Sequence, residues 1–296
     1  MNSTSNPSAS RPFSLGLYLL IVFGLSWPFL IVSAIWANTF TSTMVLNGIA
    51  MVMVTVATYI AGRFVFRDGF AGAGWRWGNW KQHLIVLGLV ALLFIFPTLV
   101  RAITGSIAPG DVNNSKWILL VVLPLITLIP GFGEEFGWRG YMLPRIARRT
   151  SARKAVTIHA IIWWAWHLPA LLIPAVRTGI ASAADTGIPA WLSALIVGIT
   201  MLLVSAIPAI LHAVVFAYIW ARSRSLAVAT VYHAAYDGVR DSLSLILGLP
   251  AGVTLWSSLV ISVLGIIFLW KGDWTNLTAP DPAPQPTWLG KQPSEG

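Results

Sequence analysis

The chain contains no cysteine, which excludes disulfides and thiol-based catalysis. Charge is scarce as well: Asp, Glu, Lys and Arg make up 10% of the 296 residues, against 56% hydrophobic. No water-soluble globule of this length normally carries that balance. Alternating apolar and polar runs long enough for barrel strands are missing, which leaves an all-α chain. Neither an HExxH zinc helix nor the GxGD half of an aspartyl pair occurs within an apolar run.

What is present is a series of apolar runs: Leu15 to Ala37, then about 43–62, 82–104, 117–144, 155–176, 190–221, 226–248 and 252–270. Each can cross a bilayer at about 20 residues per span, so eight transmembrane helices are expected over residues 14–271. Residues 1–13 and 272–296 read as disordered tails, the second rich in proline.

The net charge of +9 does not indicate nucleic acid, because the basic residues lie in short runs between apolar stretches. Arg63, Arg67, Arg76, Lys81, Arg145, Arg148, Arg149, Arg153, Lys154, Arg222 and Arg224 fall in every second connection. Only Arg101, Lys116 and Arg177 occupy the others. This asymmetry predicts a multi-pass protein of the cell membrane with both termini cytoplasmic and a polar cavity facing the cytoplasm. Trp75, Trp77 and Trp80 beside Arg76 mark a segment at the headgroup level.

The chain has three glutamates, and two are adjacent in the fourth apolar run, Glu134 and Glu135, with Arg139 following. A charge at the bilayer centre costs about 2.5–3.5 kcal/mol, so such residues face the bundle interior and carry function. Glu135 and Arg139 stand at i and i+4 and can pair. Glu134, turned by roughly 100°, is left without that partner and is read as a general base. Gly131, Gly133, Gly137 and Gly140 imply close approach of another helix or of a substrate backbone. His167 and His233 lie in the fifth and seventh runs. Measured from Arg145, Lys154 and Arg224 at 1.5 Å per residue, Glu134, His167 and His233 reach one depth of roughly 14–20 Å. His212 reaches a similar depth, whereas His159 and His83 are expected nearer the interface. Asp237, one turn beyond His233, either orients that ring or neutralises Arg240.

Glu134-Glu135-Phe-Gly-Trp-Arg139, the His167 that follows Trp163 by four residues, and His233 with Asp237 form three ordered motifs. The sequence here resembles the CAAX-prenyl-protease and bacteriocin-processing family of intramembrane proteases, also called the Abi or type II CAAX endopeptidase family. Its motifs are EExxxR, FxxxH and HxxxN, and the resemblance covers about residues 117–240. Trp163 stands where Phe is usual, and Asp237 where Asn is commonest. The likeness implies an endopeptidase acting on a membrane-associated, prenylated or leader peptide. Glu134, helped by His167, would activate water, and His233 with Asp237 would resemble the pair that stabilises the oxyanion. An ionised Asp cannot donate to an oxyanion, so Asp237 would have to be protonated or merely hold His233. Glu135 and Arg139 are supporting residues. No cofactor is favoured, although Glu134, His167 and His233 are a possible zinc set. The alternatives are a non-proteolytic membrane scaffold or immunity protein of the same fold, and a proton-coupled transporter.

Overall fold

The computed structural model describes residues 11–107, 112–248 and 250–278, and among them every regular element is helical. The helices are α1 (Leu15–Trp36), α2 (Phe40–Val65), α3 (Trp80–Ile103), α4 (Leu119–Ala147), α5 (Ala152–Trp166), α6 (Leu168–Thr186), α7 (Ala190–Ser223), α8 (Leu226–Leu247) and α9 (Pro250–Lys271). Side-chain oxygens of Ser14, Thr39, Asn79 and Ser225 accept backbone N–H groups at the starts of α1, α2, α3 and α8. Gly187 and Gly248, both at positive φ, end α6 and α8.

Five helices, α1, α2, α3, α4 and α7, are long and apolar enough to cross a membrane. The α5–α6 pair, bent by 46°, makes a sixth if taken as one span. The expected eight are therefore not reached among the described residues. Two helices account for the difference: α8, which carries Asp237, Arg240 and Asp241 and is too polar to pass as a free-standing span, and α9, whose apolar stretch Leu255–Lys271 is shorter than the others. Instead α8 lies along α4, with α3, α7 and α9 also against it.

The helices alternate between two ends. The basic end gathers the 66–79, 148–151 and 224–225 connections: Arg145 Nε donates to Asp68 Oδ2 at 2.7 Å, Arg149 Nη1 to the Phe13 carbonyl at 2.6 Å, and Ser225 Oγ to the Arg76 carbonyl at 2.6 Å. The opposite end is tied by Arg177 Nη1 to the Ile35 carbonyl at 2.7 Å, and by the Asn113 N–H to the Ile246 carbonyl at 2.8 Å.

Residues 11–13 and 272–278, expected within the disordered tails, are packed against the helices. Phe13 packs on Tyr18, Phe66 and Tyr141, and Trp274 and Leu277 are buried beside a short helix, Thr275–Thr278. Single large apolar residues in polar company supply enough buried surface to order residues 11–13 and 272–278. The rest of each tail, 1–10 and 279–296, lies outside the described residues. Trp75, Trp77 and Trp80 stand exposed at the basic end, where an interfacial segment needs them.

Candidate active site

The site begins with a change of helical pitch. After Glu135, α4 widens into π-helical turns over Phe136–Met142, so the EExxxR residues straddle the junction between two helix geometries. Such widened turns recur at functional sites because they redirect side chains that a regular helix would stack. Gly133 allows α4 to reach α2: a Cβ there would stand 2.7 Å from the Met51 carbonyl oxygen. On the other side Gly238 of α8 packs directly on Pro124. These two close approaches fix the spacing of the helices that carry the acids and His233.

Arg139 Nη1 donates to Glu135 Oε1 at 2.9 Å, and both side chains are 0% exposed. The guanidinium also lies over the Phe216 ring at 4.3 Å and the Trp163 ring at 5.2 Å, which supplies cation–π contacts to a charge far from water. The same Glu135 oxygen accepts from His233 Nδ1 at 2.8 Å. The other ring nitrogen of His233, Nε2, faces Asp237 Oδ2 at 3.3 Å. Arg240 Nη1 donates to Asp237 Oδ1 at 2.7 Å. Asp237 thus does both things the sequence left open: it holds His233 and it neutralises Arg240.

Glu134 is buried, and its Oε2 accepts the Trp163 indole N–H at 2.8 Å. The backbone carbonyl of that same Trp163 meets His167 Nδ1 at 2.8 Å. If Nδ1 carries the proton for this bond, Nε2 is left as the acceptor. His167 sits at the break between α5 and α6. Pro169 cannot donate to the preceding turn, so the helix ends and restarts there. The Leu168-Pro169 pair was a readable signal of that break, which the expected continuous span over 155–176 overlooked.

A cavity of about 550 Å³ joins these groups, with Glu134, Trp163, His167, His212, His233 and Asp237 in its wall. The convergence expected from depth is therefore present in the geometry. His212, left open by the sequence, lines the cavity too, with Nε2 3.1 Å from the Tyr232 hydroxyl. His159 departs from expectation: it is 0% exposed rather than interfacial, because α4 and α7 close over α5. His83 stays at the start of α3, its Nε2 2.9 Å from the Trp77 carbonyl oxygen.

Zinc held by Glu134, His167 and His233 needs a free imidazole lone pair on each histidine. Both nitrogens of His233 face carboxylate oxygens instead. Among the described residues no group of three or more His, Asp or Glu side chains is arranged to hold an ion. The donor set does not fit zinc.

No curated protein matches the chain. The three motifs do fall within residues 116–239, which match the family model of type II CAAX prenyl endopeptidases, Rce1-like, and over that stretch the chain is similar to that protease family.

Proposed function

We propose that the protein is an intramembrane endopeptidase that hydrolyses a peptide bond of a membrane-associated peptide with a water activated by Glu134 and His167. The observation that carries this reading is the double use of Trp163, whose indole N–H holds one oxygen of Glu134 and whose carbonyl fixes the His167 ring. The carboxylate and imidazole are thereby oriented in the wall of one cavity before any substrate arrives. Preorganisation of this kind is what a general base and its helper require.

In the reaction, Glu134 takes a proton from water as its oxygen attacks the peptide carbonyl. The negative charge that develops on the carbonyl oxygen needs a donor, and His233 supplies it through its Nε2–H. Glu135 orients that ring through Nδ1, as a carboxylate does for the histidine of a hydrolytic triad. Asp237 yields its 3.3 Å contact with Nε2 and stays with Arg240. The proton held by Glu134 then passes to the leaving amine, His167 Nε2 serving as the relay, and the C–N bond breaks. Asp237 keeps its charge and does not donate to the oxyanion. No step passes through a metal.

The test is cleavage of a reporter peptide library, with and without a prenyl group, in water enriched in heavy oxygen. Hydrolysis by activated water places one solvent oxygen in the new carboxylate. Turnover should survive exhaustive treatment with a chelator, and loss of activity that returns on adding zinc would overturn the metal-free mechanism. A transporter or scaffold of the same fold would cleave none of the peptides.

Trp163→Phe restores the usual aromatic of the second motif and removes the indole N–H together with part of the buried ring. A hydrogen bond to a charged group contributes about 1.5–3 kcal/mol, so kcat should fall by roughly 10- to 100-fold. KM should change little, and the thermal midpoint should fall modestly because the smaller ring leaves space in the wall. An unaltered kcat would show that Glu134 needs no fixing by Trp163.

A further inference from the structure

The cavity lies on one side of the site only. Its wall beyond Glu134 and His233 is made by Leu30 near the end of α1, by Phe40, Thr43 and Asn47 at the start of α2, and by Asp241 in the second half of α8. A second chamber of about 350 Å³ shares Thr43, Asn47 and Ala170 with it and continues past Ala37 to Arg177 and Thr178. All these positions belong to the end that Arg177 ties to Ile35. Toward the basic end the site is shut by a layer without exposure: Trp138, Arg139, Tyr141, Met142, His159 and Trp220 are each 0% exposed.

The two ends also differ in charge. The basic end holds the eleven residues from Arg63 to Arg224 named above, and the open end holds Arg101, Lys116 and Arg177. Lys and Arg in short connections are retained in the cytoplasm. A cytoplasmic basic end and a cavity open to the cytoplasm exclude each other in this fold, so one half of the sequence expectation fails.

We propose that the basic end is cytoplasmic and that the cavity opens on the opposite side of the membrane, so that its substrate is a peptide segment exposed on, or anchored in, the outer leaflet. Lipid-modified C-termini displayed to the cytoplasm are then not what this mouth meets. Only the word substrate rests on the protease reading; the direction of the opening stands on the charge distribution and the cavity wall.

The absence of cysteine makes the test direct, since every single-cysteine variant has one reactive thiol. Thr43→Cys and Thr178→Cys place it at the mouth, and Ser151→Cys places it on the exposed connection at the basic end. In intact bacterial cells a membrane-impermeant maleimide should label both mouth variants, and Ser151→Cys only after permeabilisation. Labelling of Ser151→Cys in intact cells overturns the proposal, alone or together with the mouth variants. So does a mouth variant that reacts only once the membrane is opened. Because labelling needs no turnover, an inactive protein with the expected pattern would discard the peptidase reading and keep the orientation. In proteoliposomes sorted by orientation, peptide added outside should be cleaved only when the Thr43 face is outward.

Discussion

Replacing Glu134 by glutamine is expected to lower turnover by about 10²- to 10⁴-fold, the usual contribution of general acid–base catalysis. The protein should remain folded. Glutamine keeps the length and planarity of the side chain, and its amide oxygen can still accept the Trp163 indole N–H that Glu134 Oε2 accepts at 2.8 Å. What disappears is the ability to take a proton from water. Peptide cleavage and thermal midpoint, measured on the same preparation, check the prediction. Turnover within a few fold of the parent would exclude Glu134 as the activating group, and a collapsed midpoint would show that its charge supports the fold. Glu135→Gln makes the useful contrast. It can still accept from His233 but no longer neutralises Arg139, so its loss of activity should come with a loss of stability.

The contrast between the two acids shows how far the sequence could be read. The pairing of Glu135 with Arg139 follows from i,i+4 spacing and a solvent that cannot hydrate either charge, and it is present at 2.9 Å. Depth along three helices was sufficient to bring Glu134, His167 and His233 to one cavity. Direction was not legible. Which acid meets His233 depends on how α4 and α8 are rotated against each other, and that is set by the widening after Glu135 and by the contact of Gly238 with Pro124. Trp163 reads in the sequence as an aromatic wall, whereas its two polar contacts depend on the fold. By length and composition five or six helices qualify as spans, and the count of eight is not confirmed, for a related reason. The polar face of α8 belongs to the site, and a helix that buries its charges against α4 need not be apolar throughout. The cavity's side could not be inferred from depth at all, because depth is a distance from an end and carries no sign.

Replacing Arg139 by methionine is expected to destabilise the protein by about 3–5 kcal/mol, the usual cost of leaving one member of a buried ion pair alone. Methionine keeps much of the volume, so the loss is electrostatic rather than a cavity effect. Glu135, 0% exposed, would retain its hydrogen bond from His233, and Phe216 and Trp163 would lose the cation over their rings. The thermal midpoint and the yield of monodisperse protein in detergent measure this. A second substitution separates an unpaired charge from simple mispacking. In Arg139→Met with Glu135→Gln, no uncompensated carboxylate remains, and much of the lost stability should return, because a neutral side chain is far cheaper to bury than an isolated ion. Turnover should stay low in that double variant, since a neutral amide orients His233 Nδ1 but does not stabilise the positive charge the ring carries while it donates on both sides. If the double variant is less stable than Arg139→Met alone, the pair is not held together by charge. The layer that closes the cavity toward the basic end would then owe its rigidity to the packing of Trp138, Tyr141 and Trp220.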